Sequence, residues 1–226
     1  MIPDSPYTNL IRLGRYTEAE EWRLALDTLE KKTDFGCWDS DWDRDGVTGV
    51  HQNTRHFPII WEEAQTSMYS YFEHLLEPLA NKMRSHYGEG FFRKLIITKQ
   101  DEMSMIFPHR DNGALFQDCH RCHLPLYTGN TYDYGSVLLN IGYIDEDDHT
   151  RFKTDITKRW IAETVPMCAD EIWEINNSPN DKYLKHSVMN HSEDVHKIHM
   201  IIDWRPDNFV SSFDKKPLDR DRETIE

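Results

Sequence analysis

Phe107-Pro-His-Arg-Asp111, an Asn112-Gly113 turn, and then Cys119-His-Arg-Cys-His-Leu-Pro-Leu126 form the stretch on which the reading of this chain turns. His109 and Asp111 stand two apart, and residues so spaced on a strand share a face. An imidazole and a carboxylate would then converge. That is half of the two-His-one-carboxylate set that holds Fe(II) and leaves coordination positions open. A His-x-Asp pattern alone is weak, so its meaning depends on a second histidine and on a site for a co-substrate.

Working outward, Arg121 to Leu126 alternates as a half-buried strand does. Cys122, Leu124 and Leu126 form an apolar face, which puts Arg121 and His123 together on the other. Lys197 to Trp204 alternates in the same way. Ile198, Met200, Ile202 and Trp204 share one face, and Lys197, His199 and Asp203 the other. Further strands are expected at about 91–97, 103–111 and 171–177, and an extended segment at 50–61. A helix is expected over 18–31, opened by the capping box Thr17-Glu-Ala-Glu20 and carrying Trp22, Leu26 and Leu29 at helical spacing. A second helical pattern starts at Glu62, with Ala64, Met68, Phe72, Leu75, Leu76, Leu79 and Met83 lining one face. Pro78 is expected to kink or split it, and Gly88 and Gly90 to end it. Residues 127–160 mix turn signals, an apolar run from Val137 and an acidic patch, and could hold a hairpin or a lid.

The 226 residues suit one sizeable domain. The expected division is a single unit over 1–210, helical over about 1–90 and β-rich over about 91–206, with a polar tail at 211–226. A net charge of −14 argues against a nucleic-acid partner and against an anionic membrane surface. No apolar run approaches a membrane span and no leader pattern opens the chain, so a cytoplasmic location is expected. Four cysteines in a chain of this length do not make a disulfide framework.

Four segments occur in the order found in one family. A His lies near the end of a strand (His109). An Arg-x-His-Leu-x-Leu strand begins at Arg121. A Glu-x-Trp strand runs from Glu171 into Asn176-Asn177. A His-x-Val-x-Asn block, His186 to Asn190, is followed by a basic residue and an Ile-x-Asp-Trp strand. In these segments the chain resembles the aspartyl/asparaginyl β-hydroxylases, Fe(II)/2-oxoglutarate-dependent oxygenases, over roughly residues 50–206. The resemblance implies a mainly β fold with flanking helices, built on a double-stranded β-helix of the jelly-roll or cupin kind. It implies Fe(II) held by His109, Asp111 and His186. It also implies 2-oxoglutarate contacted by Arg121, His123 and a cation in the slot of Lys197, with Arg205 as the rival anchor. O2 would be the oxidant, succinate and CO2 the by-products, and the substrate an amino-acid side chain, free or in a peptide.

Other readings compete. Cys119-His-Arg-Cys122-His123 has the spacing of a c-type haem attachment sequence, which would make an electron carrier. The same cluster could hold zinc. A non-catalytic β-helix module with its metal site intact is a third alternative. Asp41, Asp43, Asp45 and Gly46 open like a calcium loop, but position twelve is Gln52 where a bidentate Glu belongs.

Overall fold

The computed structural model describes residues 9–34, 38, 54–111, 118–128, 137–143, 162–177, 184–193 and 196–213. Eleven strands and two helices occur among them. These are β1 (Leu10–Arg15), α1 (Ala19–Lys32), β2 (Thr54–Trp61), β3 (Ala64–Gln65), α2 (Tyr69–Tyr87), β4 (Gly90–Gln100), β5 (Ser104–His109), β6 (His120–Tyr127), β7 (Val137–Tyr143), β8 (Glu163–Pro166), β9 (Glu171–Ile175), β10 (Leu184–Asn190) and β11 (Lys197–Pro206). They build a seven-stranded sheet in the order β1-β9-β6-β11-β4-β2-β3 and a four-stranded sheet in the order β5-β10-β7-β8. All the pairings are antiparallel. This is the double-stranded β-helix with flanking helices. No helix among the described residues is long and apolar enough to cross a membrane.

The alternation of β6 and β11 decides where the layers meet. Cys122, Leu124 and Leu126 of β6 join Ile198, Met200, Ile202 and Trp204 of β11 in one buried cluster with Trp22, Leu26 and Leu29 of α1 and Phe72, Leu79 and Met83 of α2. Both helices therefore cover the outer face of the large sheet. Trp22 stacks on Phe72 with ring centroids 5.5 Å apart, and Phe57 lies 6.1 Å from Phe72. Each such side chain, fully buried, stabilises the fold by about 1.5–3 kcal/mol.

A second buried cluster lies between the sheets. Leu10, Trp173 and Ile175 come from the large sheet, and Ile106, Leu139, Ile141, Val165 and Val188 from the small one. The rest of the large sheet's inner face is polar, with Thr98, Gln100, Arg121, His123, Lys197, His199 and Asp203 all buried.

Several expectations shift. The capping box does not form. The helix cap falls on Glu18, one residue late for Glu20 to reach back, and the Thr17 hydroxyl donates to Glu18 Oε2 at 2.8 Å. The second helix begins at Tyr69, not Glu62. Glu62 and Glu63 both have positive φ, 50° and 69°, and Trp61 pairs with Ala64, so they make a tight hairpin turn from β2 into β3. Thr66 then closes the approach to α2, donating to the Pro58 carbonyl at 2.6 Å and accepting from the Met68 N–H at 3.2 Å. α2 runs through Pro78 as one helix and ends at Gly88, whose φ of 84° suits a residue without a Cβ. The first ninety residues are not simply helical, since β1, β2 and β3 all belong to the large sheet. Within 127–160, residues 137–143 are a central strand of the small sheet. Of the expected tail, Phe213 packs against the large core. The acidic segment 41–46 lies outside the described residues, as does residue 37.

Candidate metal and co-substrate site

β5 and β10 run side by side, with His109 directly opposite His186. The strand ends at His109, and Asp111 stands two residues past it. Ligand-type atoms of His109, Asp111 and His186 all lie within 4.8 Å of one another, and no other such group occurs among the described residues. His109 Nε2 is 3.8 Å from Asp111 Oδ1, and His186 Nε2 is 3.5 Å from Asp111 Oδ2. The two imidazole centroids are 4.3 Å apart. His109 Nδ1–H donates to the Phe107 carbonyl at 2.8 Å. That bond fixes the proton on Nδ1 and leaves the Nε2 lone pair for the shared space, the arrangement a metal-ligating histidine needs. Two imidazoles and one carboxylate suit Fe(II), or another divalent first-row metal, and leave positions open.

Asp111 is strongly held as the anion. Burial works against its ionisation, but the Arg121 guanidinium first, with the His186 and His109 rings beside it, outweighs burial and keeps the carboxyl well below its ordinary range. Arg121 is 3% exposed. Its Nη1 donates to Asp111 Oδ2, while Nε and Nη2 grip the two oxygens of Asp203 at 2.7 and 2.5 Å. Arg121 thereby has a second role beside the expected one. Three of its five N–H donors go to these two carboxylates, and it braces Asp111.

Behind this cluster the inner face holds polar groups without partners. Lys197 is 0% exposed, and its Nζ has no hydrogen-bond partner among the described residues. Burial alone pushes its ammonium from 10.5 down to about 7. His123 is 3% exposed, and neither of its ring nitrogens has a hydrogen-bond partner among the described residues. Burial first, then the charges of His186, Lys197 and Arg121, hold it well below the ordinary imidazole range, so it is neutral. Its ring lies 6.3 Å from that of His186 and stacks on that of His199 at 5.3 Å. His199 in turn bonds the Thr98 hydroxyl at 2.6 Å. His123 therefore stands between the three-residue cluster and Lys197. Orphaned polar groups in a dry interior are costly, and an anionic ligand would satisfy them.

The alternative placements fare differently. His196, next to Lys197 in sequence and ten residues after His186, is half-exposed and faces Glu102 at 3.2 Å, so it does not share the site with Lys197. Arg205 sits at the rim, 3.7 Å from Glu63, with its guanidinium 6.0 Å from the Phe91 ring centre. Cys122 is buried in the outer core against the Tyr87 hydroxyl, and His123 points to the opposite face. Cys119, Cys122 and His123 do not converge, which removes both the haem and the zinc readings of that motif.

The fold is thus that of a double-stranded β-helix with two histidines and an aspartate gathered between its sheets. No protein-family model matches the sequence, and no curated protein sequence does either. Solved structures do match. A prolyl-4-hydroxylase of Pseudomonas putida is similar with a TM-score of 0.51 at 12% identity, over 88% of this chain and 94% of the other. HygX of Streptomyces hygroscopicus, solved with nickel, 2-oxoglutarate and hygromycin B bound, gives 0.50 at 12% identity, over 89% and 84%. The non-haem monooxygenase ThoJ, as its nickel complex, gives 0.53 at 11% identity, over 88% and 74%. At such identities the likeness is one of fold.

Proposed function

We propose that this protein is an Fe(II)/2-oxoglutarate-dependent dioxygenase that hydroxylates an amino-acid side chain, free or in a peptide, as its resemblance to the aspartyl/asparaginyl β-hydroxylases implies. The observation that carries the reading is a single interior holding both halves of the apparatus. His109, Asp111 and His186 gather at one sheet, and the buried Lys197, whose Nζ has no hydrogen-bond partner among the described residues, lies on the facing sheet. The neighbours' chemistry is in keeping with it, since HygX was solved with nickel and 2-oxoglutarate.

His109, Asp111 and His186 would hold the iron. Lys197 would receive the far carboxylate of 2-oxoglutarate, and His123 would lie along the co-substrate between the two. Iron, 2-oxoglutarate and O2 together supply the oxidation, in which one oxygen atom goes into a substrate C–H to give C–OH and the other into succinate as CO2 leaves. The chain's own part is positioning and exclusion of water. Arg121 keeps Asp111 ionised and oriented. The Phe107 carbonyl sets the His109 tautomer. The apolar cluster of Leu10, Trp173 and Val188 keeps one side of the interior dry, and low polarity there strengthens the Lys197–carboxylate pair.

A succinate-release screen with Fe(II), 2-oxoglutarate and pooled amino acids and peptides tests the proposal. Anaerobic titration of the Fe(II) protein with 2-oxoglutarate is its direct binding counterpart, and the visible charge-transfer band of the chelate is the readout. Absence of both the band and succinate release in protein loaded with iron would sink the proposal.

A further inference from the structure

Lys197 stands at one end of the polar inner face, in a wall of neutral groups. It pairs with Gln100 of β4, and Gln100 with Thr54 of β2. Directly paired residues present their side chains to the same face. Gln100 is fully buried, and its Nε2 donates across the interior to the carbonyls of Ser104 at 3.1 Å and Val188 at 3.4 Å. That leaves Gln100 Oε1 as a buried acceptor with no hydrogen-bond partner among the described residues. Thr128, one residue past the Tyr127 that pairs with Ile198, is buried, and its hydroxyl has no such partner either. With the His123 ring, these groups form a built pocket around the Lys197 ammonium.

No counter-anion for it occurs among the described residues. On β11 itself the next inward residue is His199, which bonds the Thr98 hydroxyl of β4. His56 of β2 is paired with Thr98. His123 of β6 is neutral and stands between Lys197 and His186. The interior carboxylates Asp203 and Asp111 are both bound to Arg121. Asp101 and Glu102, which follow Gln100, face His196 at the surface. Lys99, on the opposite face of β4, faces Glu30 of α1. An ammonium so placed sheds its proton readily, because nothing offsets the hydration it has lost. Burial alone takes Lys197 from 10.5 to about 7. An arginine in the same slot would stay charged throughout.

We propose that the far carboxylate of 2-oxoglutarate binds only the charged form of Lys197, so that co-substrate binding takes up a proton and weakens as pH rises above neutrality. This rests on the oxygenase reading above and adds a regulation of the same site. The bound carboxylate favours the ammonium and keeps the proton on it. The co-substrate's own carboxyl groups stay ionised throughout, since such groups titrate near about pH 4. Below about pH 7 the lysine is already charged, and affinity is flat. Above that, each pH unit costs about tenfold in affinity, up to the pH at which the paired lysine itself loses its proton. Succinate keeps the same carboxylate and carries the same dependence, so an alkaline shift loosens co-substrate and by-product together.

Calorimetric titration of protein loaded with redox-inert Zn(II), using 2-oxoglutarate as the ligand, tests this, with Lys197→Arg as the comparison. The ratio of the two dissociation constants cancels every titrating group common to both proteins, those at the metal included. Wild type relative to Lys197→Arg should weaken about tenfold or more between about pH 7 and about pH 9. Paired buffers of different ionisation enthalpy should show the wild type taking up about one more proton than the variant at the upper end. A second readout needs no arginine variant. Carbon NMR of isotope-labelled lysine follows Lys197 directly, its resonance assigned by its loss in Lys197→Met. It should titrate near neutrality in the ligand-free protein and remain charged to higher pH with 2-oxoglutarate bound. A ratio independent of pH, or a Lys197 resonance that stays charged up to about pH 9 without ligand, overturns this inference alone. Failure of 2-oxoglutarate to bind at any pH overturns the oxygenase reading and this inference with it.

Discussion

Replacing Lys197 with Met should stabilise the ligand-free protein while impairing it as an enzyme. Lys197 is fully buried with its Nζ unpartnered, and burial takes its ammonium from 10.5 to about 7. At 1.36 kcal/mol per pH unit, that displacement corresponds to a destabilisation of roughly 5 kcal/mol when the group is charged in both states. The unfolded chain holds the extra proton between about pH 7 and 10.5. The cost is therefore complete below about pH 7, shrinks steadily as pH rises, and is gone above about 10.5. Met fills nearly the same space without the charge. Urea unfolding of the Lys197→Met protein should show a gain of a few kcal/mol at about pH 6, narrowing towards zero at about pH 10. The same change should weaken 2-oxoglutarate by about tenfold to a hundredfold, the worth of one charge-assisted hydrogen bond, with metal still bound. Equal stability of the two proteins at pH 6 would refute the burial argument. An unchanged 2-oxoglutarate affinity in Lys197→Met, together with a loss in Arg205→Ala, would move the anchor to Arg205.

Alanine at His109, Asp111 or His186 should abolish succinate release and sharply reduce bound metal while leaving the fold intact by circular dichroism; full activity in Asp111→Ala would contradict the ligand assignment. Because Asp111 fills the position that a halide would need, turnover in high chloride should give hydroxylated product only, and a chlorinated product detected by mass spectrometry would contradict this. Arg121→Met strands Asp203, which is 1% exposed, and unties Asp111. It should cost about 3–5 kcal/mol of stability and lower metal affinity about tenfold to a hundredfold, measured by unfolding and by competition with a chelator.

Much of this was readable because β6 and β11 alternate strictly. Assigning Cys122, Leu124 and Leu126 to one face and Arg121 and His123 to the other needed only the period of two, and the same holds for Lys197, His199 and Asp203. The register that brings His186 opposite His109 is a long-range pairing and has no local signature. Arg121 shows the limit more sharply. Its side of the strand is legible, but its engagement by Asp203, 82 residues further on, and by Asp111, ten residues back, is a tertiary contact with no local signature. β1 was missed because Leu10-Ile-Arg-Leu-Gly-Arg15 neither alternates cleanly nor is rich in β-branched residues, and its pairing with β9 is what makes it a strand. The Glu62-Glu63 turn looks like a helix start in sequence because glutamate is a good helix former and seldom marks a turn with two positive φ angles.

The three metal-type side chains sit on or just beyond strands of the small sheet, and Lys197 sits on the large one. A co-substrate gripped at both ends would therefore bridge the sheets, and the gap between them acts as a ruler for its length. What sets that gap is the apolar filling contributed by both sides, with Trp173 and Leu10 facing Val188 and Ile106. A cavity cut there, as in Val188→Ala, lets the sheets settle by a fraction of an ångström, because packed interiors relax only in part. Its kinetic signature would be a changed KM for 2-oxoglutarate from a residue that bears no polar group at all. In this fold the packing of the interior is also a tolerance on the spacing of its chemistry.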